Sequence, residues 1–271
     1  MPRFRMAGAC ARVSCALGLA ILSLAGTRPG VEVHVMISAG YFAVYSELGP
    51  AFERATGHRL VTSRGPSMGD SPDAIPARLA RGEIADVVIL DAEAADALGR
   101  RGLVRPDTKI ELASAGIGMV VRAGAPRPDI DSVDAFRRTL LAARSIAYSD
   151  SSSGTYLSTV LFAKLGVADQ IAGRTRKVRG PPSGEPVAAV VARGEAEIGL
   201  QQVSELMHVP GTVFVGPLPA EIQKVTVSAA VLTTSAREPE AATVLIRMLA
   251  SPEADPAIVR AGLTPLTRRQ R

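Results

Sequence analysis

Short runs of β-branched residues alternate with longer stretches of helical periodicity along this chain of 271 residues, and this alternation limits the folds open to it. The first third predicts a β-α-β-α-β unit, whose elements span 31–37, 41–56, 58–62, 73–82 and 86–90. Strands that alternate with helices in this way are typical of α/β proteins with largely parallel sheets. The sequence therefore predicts an α/β fold.

Two long extended runs, 109–122 and 224–233, flank a second unit of alternating strands and helices. One run leads out of the first unit and the other leads back, as two hinge crossings between two lobes would require. We expect lobe 1 to comprise residues 26–112 and 224–271, and lobe 2 to comprise 113–223. Each lobe is predicted to be a mainly parallel sheet flanked by helices.

The N-terminal residues have the composition of an export signal. Arg3, Arg5 and Arg12 form a positive leader, and 15–25 is a short apolar run that ends in small residues. Both cysteines lie before or at the start of this run, which argues against a lipid-anchored cysteine and leaves the exported chain without a disulfide. The sequence predicts a signal peptide at residues 1–25 and a mature protein released into the periplasm. No later stretch has the roughly twenty apolar residues of a membrane helix, so stable membrane insertion is not expected.

The charge of the chain does not indicate a nucleic-acid partner. The formal net charge is +5, but four of the positive residues stand within the first 28 positions, ahead of the body of the chain. The remaining charges are dispersed and lack the interleaved aromatic residues of single-strand binding surfaces. We expect a monomer that binds no nucleic acid.

Hydroxyl residues and glycines concentrate in the loops that follow predicted strands, where open α/β sheets bind their ligands. Backbone N–H groups and hydroxyls at helix starts can bind a small anion there. The ligand-binding candidates are Ser38, Ala39, Gly40, Arg64, Ser67, Met68, Ser151, Ser152, Ser153, Gly154, Gln202 and Ser204. The same residue types also serve as ordinary helix caps, and this interpretation stays open for each single loop.

Some of these candidates suit an organic anion. Arg64 can make a bidentate contact to a carboxylate or oxyanion, unless it is a solvated loop residue. Gln201, Gln202 and Ser204 end a predicted strand and would present amide and hydroxyl donors to the same ligand. The turn at 180–184 is interpreted as a rim or hinge rather than as a ligand contact.

No motif for catalysis is complete in the sequence. The three histidines lack the spacing of zinc ligands, and there is no nucleophile elbow, phosphate-binding loop or dinucleotide fingerprint. We therefore expect no metal and no cofactor. Should the chain be an enzyme, Tyr156, Asp150 and Glu205 are the candidates for proton transfer, although Asp150 and Glu205 also suit helix starts.

Four fragments of the sequence resemble one known family. They are 38–40, 52–57, 81–89 and 191–199. In their order and spacing they are similar to the periplasmic type II solute-binding proteins of ABC transporters, and within these to the molybdate-binding branch. The resemblance implies two lobes that close over a small anion and present it to a membrane permease.

In the molybdate-binding branch, a serine after the first strand and one after the second hold the oxyanion, together with a tyrosine from the second lobe. Ser38 matches the first serine, and Ser67 or Ser63 matches the second. The place of the tyrosine is taken here by Gln201 and Gln202. This departure favours a larger organic anion over molybdate.

Two functions follow from the resemblance. The first is an exported binding protein that captures a small anion, either an oxyanion or an organic polycarboxylate, for an ABC transporter. The alternative is a cofactor-free aconitate isomerase on the same scaffold, because the branch includes a periplasmic enzyme that moves a proton and a double bond within a tricarboxylate.

Overall fold

The chain forms two mixed β-sheets flanked by helices in a computed structural model that describes residues 30–69 and 71–266. The predicted signal peptide, residues 1–25, lies outside the described residues. The α/β fold class predicted from the alternation of strands and helices is confirmed. No helix within the described ranges combines the length and apolar character needed to cross a membrane.

Eleven strands in the described ranges build the two sheets. They are β1 (Glu32–Ile37), β2 (Arg59–Arg64), β3 (Val87–Asp91), β4 (Ile110–Ala115), β5 (Ile117–Arg122), β6 (Ile146–Ser149), β7 (Thr175–Val178), β8 (Ile198–Gln202), β9 (Thr212–Pro217), β10 (Thr226–Leu232) and β11 (Thr264–Pro265). The first sheet has the order β11-β4-β10-β3-β1-β2, and the second has the order β7-β6-β8-β5-β9.

Helices connect these strands and cover the sheets. They are α1 (Ala39–Thr56), α2 (Ile75–Ala80), α3 (Ala92–Arg100), α4 (Val133–Ala142), α5 (Ser152–Tyr156), α6 (Phe162–Lys164), α7 (Ala168–Ile171), α8 (Val187–Ala192), α9 (Val203–Leu206), α10 (Pro239–Leu249) and α11 (Asp255–Arg260). A π-helical turn, Leu157–Leu161, joins α5 to α6. Short 3₁₀ turns occur at Pro106–Thr108, Ala172–Arg174, Ala220–Ile222 and Pro252–Ala254.

Both sheets combine parallel and antiparallel pairs of strands. β1 pairs parallel with β2 and β3, and β6 pairs parallel with β7 and β8. β10 pairs antiparallel with β3 and β4, and β5 pairs antiparallel with β8 and β9. The predicted parallel units are therefore present, and the two extended runs add antiparallel pairs that make the sheets mixed.

The chain passes between the sheets at two neighbouring points. β4 ends at Ala115 and β5 begins at Ile117, while the return passage lies between Ile222 and the start of β10 at Thr226. The side chain of Gln223 ties the two passages together. Its Oε1 accepts a hydrogen bond from the Ile117 N–H at 2.6 Å, and its Nε2 donates one to the Ile117 carbonyl at 2.9 Å. The predicted lobe boundaries stay a prediction.

Each sheet buries apolar side chains against helices on both of its faces. The first sheet packs against α1, α10 and α11 on one face and against α2 and α3 on the other. The second packs against α4 and α6 on one face and against α8 on the other. Tyr41 of α1 is fully buried, and its hydroxyl donates to the Leu249 carbonyl of α10 at 3.1 Å. The last long helix thus returns to the first sheet.

Candidate functional site

A cavity that is partly open to solvent lies in the cleft between the two sheets. Its walls are mainly loops that follow the parallel strands of both sheets. The residues that line it are Ser38, Ala39, Gly65, Pro66, Ser67, Asp91, Ser149, Asp150, Ser151, Ser152, Gly180, Pro181, Gln201, Gln202 and Glu205. Loops from both sheets therefore meet at one cavity. We call the parts of the protein that are built on the first and on the second sheet its first and second halves.

Ser38 stands directly after β1, at the start of α1. Its N–H donates a hydrogen bond to the Ile89 carbonyl at 2.9 Å, which fixes the backbone of this loop. The residue is buried, yet its hydroxyl has no hydrogen-bond partner among the described residues. An unpaired hydroxyl on a cavity wall, beside the N-terminus of an 18-residue helix, is available to an anionic ligand.

Gly40 allows α1 to approach the second half of the chain closely, because it has no side chain. A Cβ at this position would lie 2.5 Å from Gln202 Oε1. The Gly40 carbonyl also accepts a hydrogen bond from the Ser204 hydroxyl at 2.9 Å. Gly40 and Ser204 therefore form a contact between the two halves of the protein, whereas Gln202 lines the cavity.

Asp91, the last residue of β3, is a buried carboxyl on the cavity wall. Its Oδ2 accepts a hydrogen bond from the Ser152 hydroxyl at 2.6 Å, and its N–H donates one to the Ser67 hydroxyl at 3.1 Å. Burial raises the pKa of Asp91, while the hydrogen bonds from Ser152 and Ser67 and the charge of Lys224 oppose this rise. Because Ser152 belongs to the second half of the chain, its contact with Asp91 spans the cleft.

Glu205 of α9 is a second carboxyl on the same wall. Gln201 Nε2 donates a hydrogen bond to Glu205 Oε2 at 2.5 Å. Burial raises the pKa of Glu205 to about 8, and the nearby carboxyls of Asp91 and Asp150 add to this rise. The charge of Arg64 and the hydrogen bond from Gln201 act in the opposite direction. At neutral pH most molecules therefore hold a proton on Glu205.

Asp150 is the third carboxyl of the cavity, and it fixes a neighbouring turn. Its Oδ1 accepts a hydrogen bond from the Gly180 N–H at 3.1 Å, and its own N–H donates to the Val178 carbonyl at 2.9 Å. These contacts bring Gly180 and Pro181 into the cavity wall. The interpretation of the turn at 180–184 as a rim or hinge stays a prediction, and two residues of this turn line the cavity.

Ser149, the last residue of β6, and two serines that follow it form a closed triangle of hydroxyl contacts. Ser149 Oγ lies 2.7 Å from Ser151 Oγ and 3.1 Å from Ser153 Oγ, and the last two atoms are 3.1 Å apart. A Cβ on Gly154 would lie 1.6 Å from the Ser149 carbonyl oxygen, so the following helix packs directly on this strand end. Ser149 and Ser151 line the cavity, whereas Ser153 and Gly154 are buried behind them.

Arg64 does not line the cavity, contrary to the expectation of a direct ligand contact. Its guanidinium lies over the Phe42 ring, with Cζ 4.0 Å from the ring centroid. Its Nε is buried and has no hydrogen-bond partner in the described part of the chain. Burial lowers the pKa of Arg64, and the charge of Glu205 opposes this change. Arg64 therefore acts on the cavity through its charge.

Two further candidates also lie outside the cavity. Met68 lines a neighbouring space. The Tyr156 hydroxyl donates to the Ile222 carbonyl at 3.0 Å, and its ring packs against the core of the second sheet. Tyr156 is therefore held away from the cavity and is not positioned to transfer protons there. Of the two alternative serines, Ser67 lines the cavity and Ser63 does not.

Asp91 and Ser149 are residues of the cavity that were not predicted. Each is the last residue of a strand whose carboxyl end meets the cleft. Asp91 also follows directly after the fully buried run 87–90. A polar residue at the carboxyl end of a buried parallel strand is the signal that would have identified both.

The charged side chains on the cavity wall are all carboxyls, namely Asp91, Asp150 and Glu205. Within the described ranges, no group of three His, Cys, Asp or Glu side chains is placed to hold a metal ion. The cavity thus combines a protonated carboxyl, other ionisable carboxyls, serine hydroxyls and amide groups. Such a set can form hydrogen bonds to a small anion and can move a proton within it.

The family described as bacterial extracellular solute-binding protein matches residues 33–264 of the chain. The chain belongs to this family. The resemblance inferred from four sequence fragments is thereby confirmed.

Two relatives match this solute-binding protein over most of its length. It is 45% identical over 251 residues to an aconitate isomerase of Pseudomonas sp, across 93% of this chain and 94% of that enzyme. It is 25% identical over 256 residues to the molybdate-binding protein ModA of Azotobacter vinelandii, across 93% of this chain and 96% of that protein.

A solved structure shows the same fold. The periplasmic molybdate-binding protein of Azotobacter vinelandii superposes with a TM-score of 0.69 at 20% sequence identity, covering 88% of this chain and 100% of that chain. The likeness extends to both sheets. It establishes the two-lobed fold of the solute-binding proteins for this chain.

Proposed function

We propose that this solute-binding-family protein is a cofactor-free isomerase that moves a proton and a double bond within a tricarboxylate of the aconitate type. The observation that carries the proposal is the position of Glu205, a carboxyl that lies on the cavity wall together with Asp91 and Asp150 and accepts a hydrogen bond from Gln201. Burial and the neighbouring Asp91 and Asp150 raise its pKa to about 8. Proton transfer is most efficient when the pKa of the acid lies near the working pH. Three carboxyls on the cavity wall would not help a protein that only binds a tetrahedral oxyanion, because they supply negative charge to an anion site.

Sequence similarity supports the same function. The Pseudomonas aconitate isomerase matches nearly the whole length of this chain at 45% identity, whereas the molybdate-binding protein matches it at 25%. Gln201 and Gln202 line the cavity at the end of β8, where the molybdate-binding branch carries a tyrosine. These amides suit the carboxylates of an organic anion.

The proposed reaction exchanges the positions of a C–H bond and a C=C bond. A base removes one proton from the methylene carbon beside a carboxylate, and the electron pair left behind forms a new double bond to the central carbon. The electron pair of the old double bond moves to the former vinyl carbon, which takes one proton from an acid. Atoms and electrons balance, so the step requires one acid and one base.

Glu205 is the acid of this scheme and Asp150 the base. The Asp150 carboxylate accepts the Gly180 N–H through Oδ1, and its Oδ2 has no hydrogen-bond partner within the described residues. Gln201 holds the Glu205 carboxyl in place and is therefore a positioning residue. The unpaired Ser38 hydroxyl can stabilise the negative charge that develops on a substrate carboxylate. In the reverse reaction, Glu205 and Asp150 exchange roles.

The second candidate function is a binding protein that captures a small anion and delivers it unchanged to the permease of an ABC transporter. The family match and the molybdate-binding fold support this candidate. It shares the cavity and the closure of two lobes with the isomerase. It differs in predicting tight binding without turnover.

Both candidates require a periplasmic protein, and we include removal of a signal peptide at residues 1–25 in the proposal. The family of extracellular solute-binding proteins supports export. N-terminal sequencing of the protein recovered from the periplasm should give a start near Gly26. Full-length protein retained in the cytoplasm would contradict this part of the proposal.

One experiment separates the two functions. The protein is incubated with cis-aconitate and, in parallel, with trans-aconitate, and both isomers are followed by chromatography. An isomerase brings both samples to the same mixture. A thermal-shift panel then compares molybdate, tungstate, sulfate, citrate, tricarballylate and aconitate. We expect the tricarboxylates to stabilise an isomerase, by about 2.7 kcal/mol at a ligand concentration of 100 times the Kd. Stabilisation by molybdate and tungstate alone, with aconitate unchanged, would support the carrier and contradict the isomerase.

A further inference from the structure

A second, outer space, which is open to solvent, adjoins the cavity. The two spaces share Pro66 and Asp150 as wall residues. The wall of the outer space also carries Lys177 and Arg179. A molecule in the inner cavity that extends past Asp150 would therefore meet these two cations.

The two spaces differ in charge. The inner cavity is lined by three carboxyls and by no lysine or arginine, whereas the outer space is lined by two cations and shares the single carboxyl of Asp150. A polycarboxylate cannot balance its negative charges within the inner cavity alone. It can do so when one of its carboxylates lies in the outer space.

Lys177 lies in the edge strand β7, and Arg179 follows directly after the last residue of that strand, Val178. Both cations line the outer space, while Val178 between them is buried. Among residues 30–69 and 71–266, neither cation has an ion-pair partner.

Neighbouring arginines are already neutralised. Arg176 forms an ion pair with Glu195 at 2.9 Å, and Arg193 forms ion pairs with Glu195 and Glu185, both at 2.6 Å. Lys177 and Arg179 thus differ from these two arginines, because neither has an ion-pair partner in the described part of the chain.

We propose that Lys177 and Arg179 form a carboxylate subsite, which binds a remote carboxylate of the substrate while its reacting end lies in the inner cavity. The inference rests on the proposed function for the identity of the reacting end. It makes these two residues determinants of specificity for anions that carry more than one carboxylate.

The test compares Lys177→Gln, Arg179→Gln and the double variant with two charge-matched controls. Arg176→Gln removes a charge from the same strand, and Lys164→Gln removes an exposed charge from α6. Calorimetry gives the affinity for tricarballylate, with three carboxylates, and for butyrate, with one. Steady-state assays with cis-aconitate give KM and kcat.

We expect each single variant to weaken tricarballylate binding about tenfold, as loss of a charge-assisted hydrogen bond does, and to leave butyrate binding within about twofold of the unmodified protein. KM for cis-aconitate should rise by a similar factor, with a smaller change in kcat. Both controls should match the unmodified protein. Equal losses for butyrate and tricarballylate, unchanged tricarballylate binding, or equal losses in the controls would overturn the subsite.

The outcomes also separate this inference from the proposed function. If tricarballylate binding depends on Lys177 and Arg179 but the protein does not isomerise aconitate, the subsite is supported and the isomerase is wrong. If aconitate is isomerised with an unchanged KM in the double variant, the isomerase is supported and the subsite is wrong. An unmodified protein that binds none of these carboxylates would overturn both.

Discussion

The Ser152 hydroxyl donates a hydrogen bond of 2.6 Å to the buried carboxyl of Asp91. Asp91 ends a strand of the first sheet and Ser152 begins a helix of the second half, so this contact joins the two halves across the cleft. Both residues line the cavity. Side chains of the cavity wall thus also hold the two halves together.

Replacing Ser152 by alanine should destabilise the protein by about 2 kcal/mol, because a buried carboxyl loses its hydrogen-bond donor. Urea denaturation at neutral pH measures this loss. Ser158→Ala is the matched control, since the Ser158 hydroxyl donates to carbonyls of its own helical segment. Equal destabilisation by the two substitutions would show that the contact across the cleft contributes nothing of its own.

Ser38→Ala should weaken ligand binding about tenfold without lowering the melting temperature. The reason is that the Ser38 hydroxyl lines the cavity and has no partner among the described residues, so its removal leaves no protein group unsatisfied. Ser46→Ala, at an exposed position of the same helix, should change neither quantity. Unchanged tricarballylate affinity in Ser38→Ala, measured by calorimetry, would remove Ser38 from the site.

Gly154→Ala should destabilise the protein by about 3 kcal/mol or more, as overpacking against backbone does. The new Cβ would lie 1.6 Å from the Ser149 carbonyl oxygen. Gly173→Ala is the control, because a Cβ there meets no atom within 4 Å. Thermal denaturation compares the two variants. A Gly154→Ala protein as stable as Gly173→Ala would contradict the close packing of the serine loop on β6.

Much of the fold could be predicted because most strands are β-branched runs with clear ends. Gly57 closes α1 in the left-handed conformation, with φ of 73°, as its position after the helical pattern indicates. The strand β9 was not predicted, because it lies at a sheet edge and most of its residues are half-buried, which removes the usual alternation. The helix after β6 begins at Ser152, although serine and glycine have low helix propensity, because its first turn packs on the end of the strand.

The loops of the cavity follow the strand ends where the sequence predicts them, but the orientation of single side chains depends on packing between the two halves. Ser152 reaches Asp91, whereas the adjacent Ser153 turns back to Ser149. Arg64 stacks on an aromatic ring of α1 instead of entering the cavity. These side-chain orientations are set by tertiary contacts, which the residue pattern within a single segment does not predict.

Glu205 should make stability depend on pH in a defined direction. Its pKa is raised from 4.5 to about 8 in the folded protein, so between these values the folded state holds a proton that the unfolded chain has released. Stability from this group is therefore present at low pH and is lost as pH rises toward 8, by up to about 1.4 kcal/mol per pH unit. Glu205→Gln stays neutral and should lose less stability over the same range.

Urea denaturation of both proteins from pH 5 to pH 8 measures this difference. The raised pKa of Asp91 also lowers the stability of both proteins as pH rises, so the difference between the two curves, rather than the slope of either one, reports on Glu205. Parallel curves for the two proteins would show that the pKa of Glu205 is not raised by the fold.

The central claim is proton transfer by Glu205 to an aconitate-type substrate, and proton NMR in D₂O tests it most directly. We expect the unmodified protein to convert cis-aconitate to trans-aconitate and to place solvent deuterium on the methylene carbon of the product. Glu205→Gln and Asp150→Asn should bind tricarballylate but should incorporate deuterium at least about a hundredfold more slowly. If the unmodified protein binds cis-aconitate yet neither exchanges its protons nor converts it, the protein is not an isomerase of this substrate.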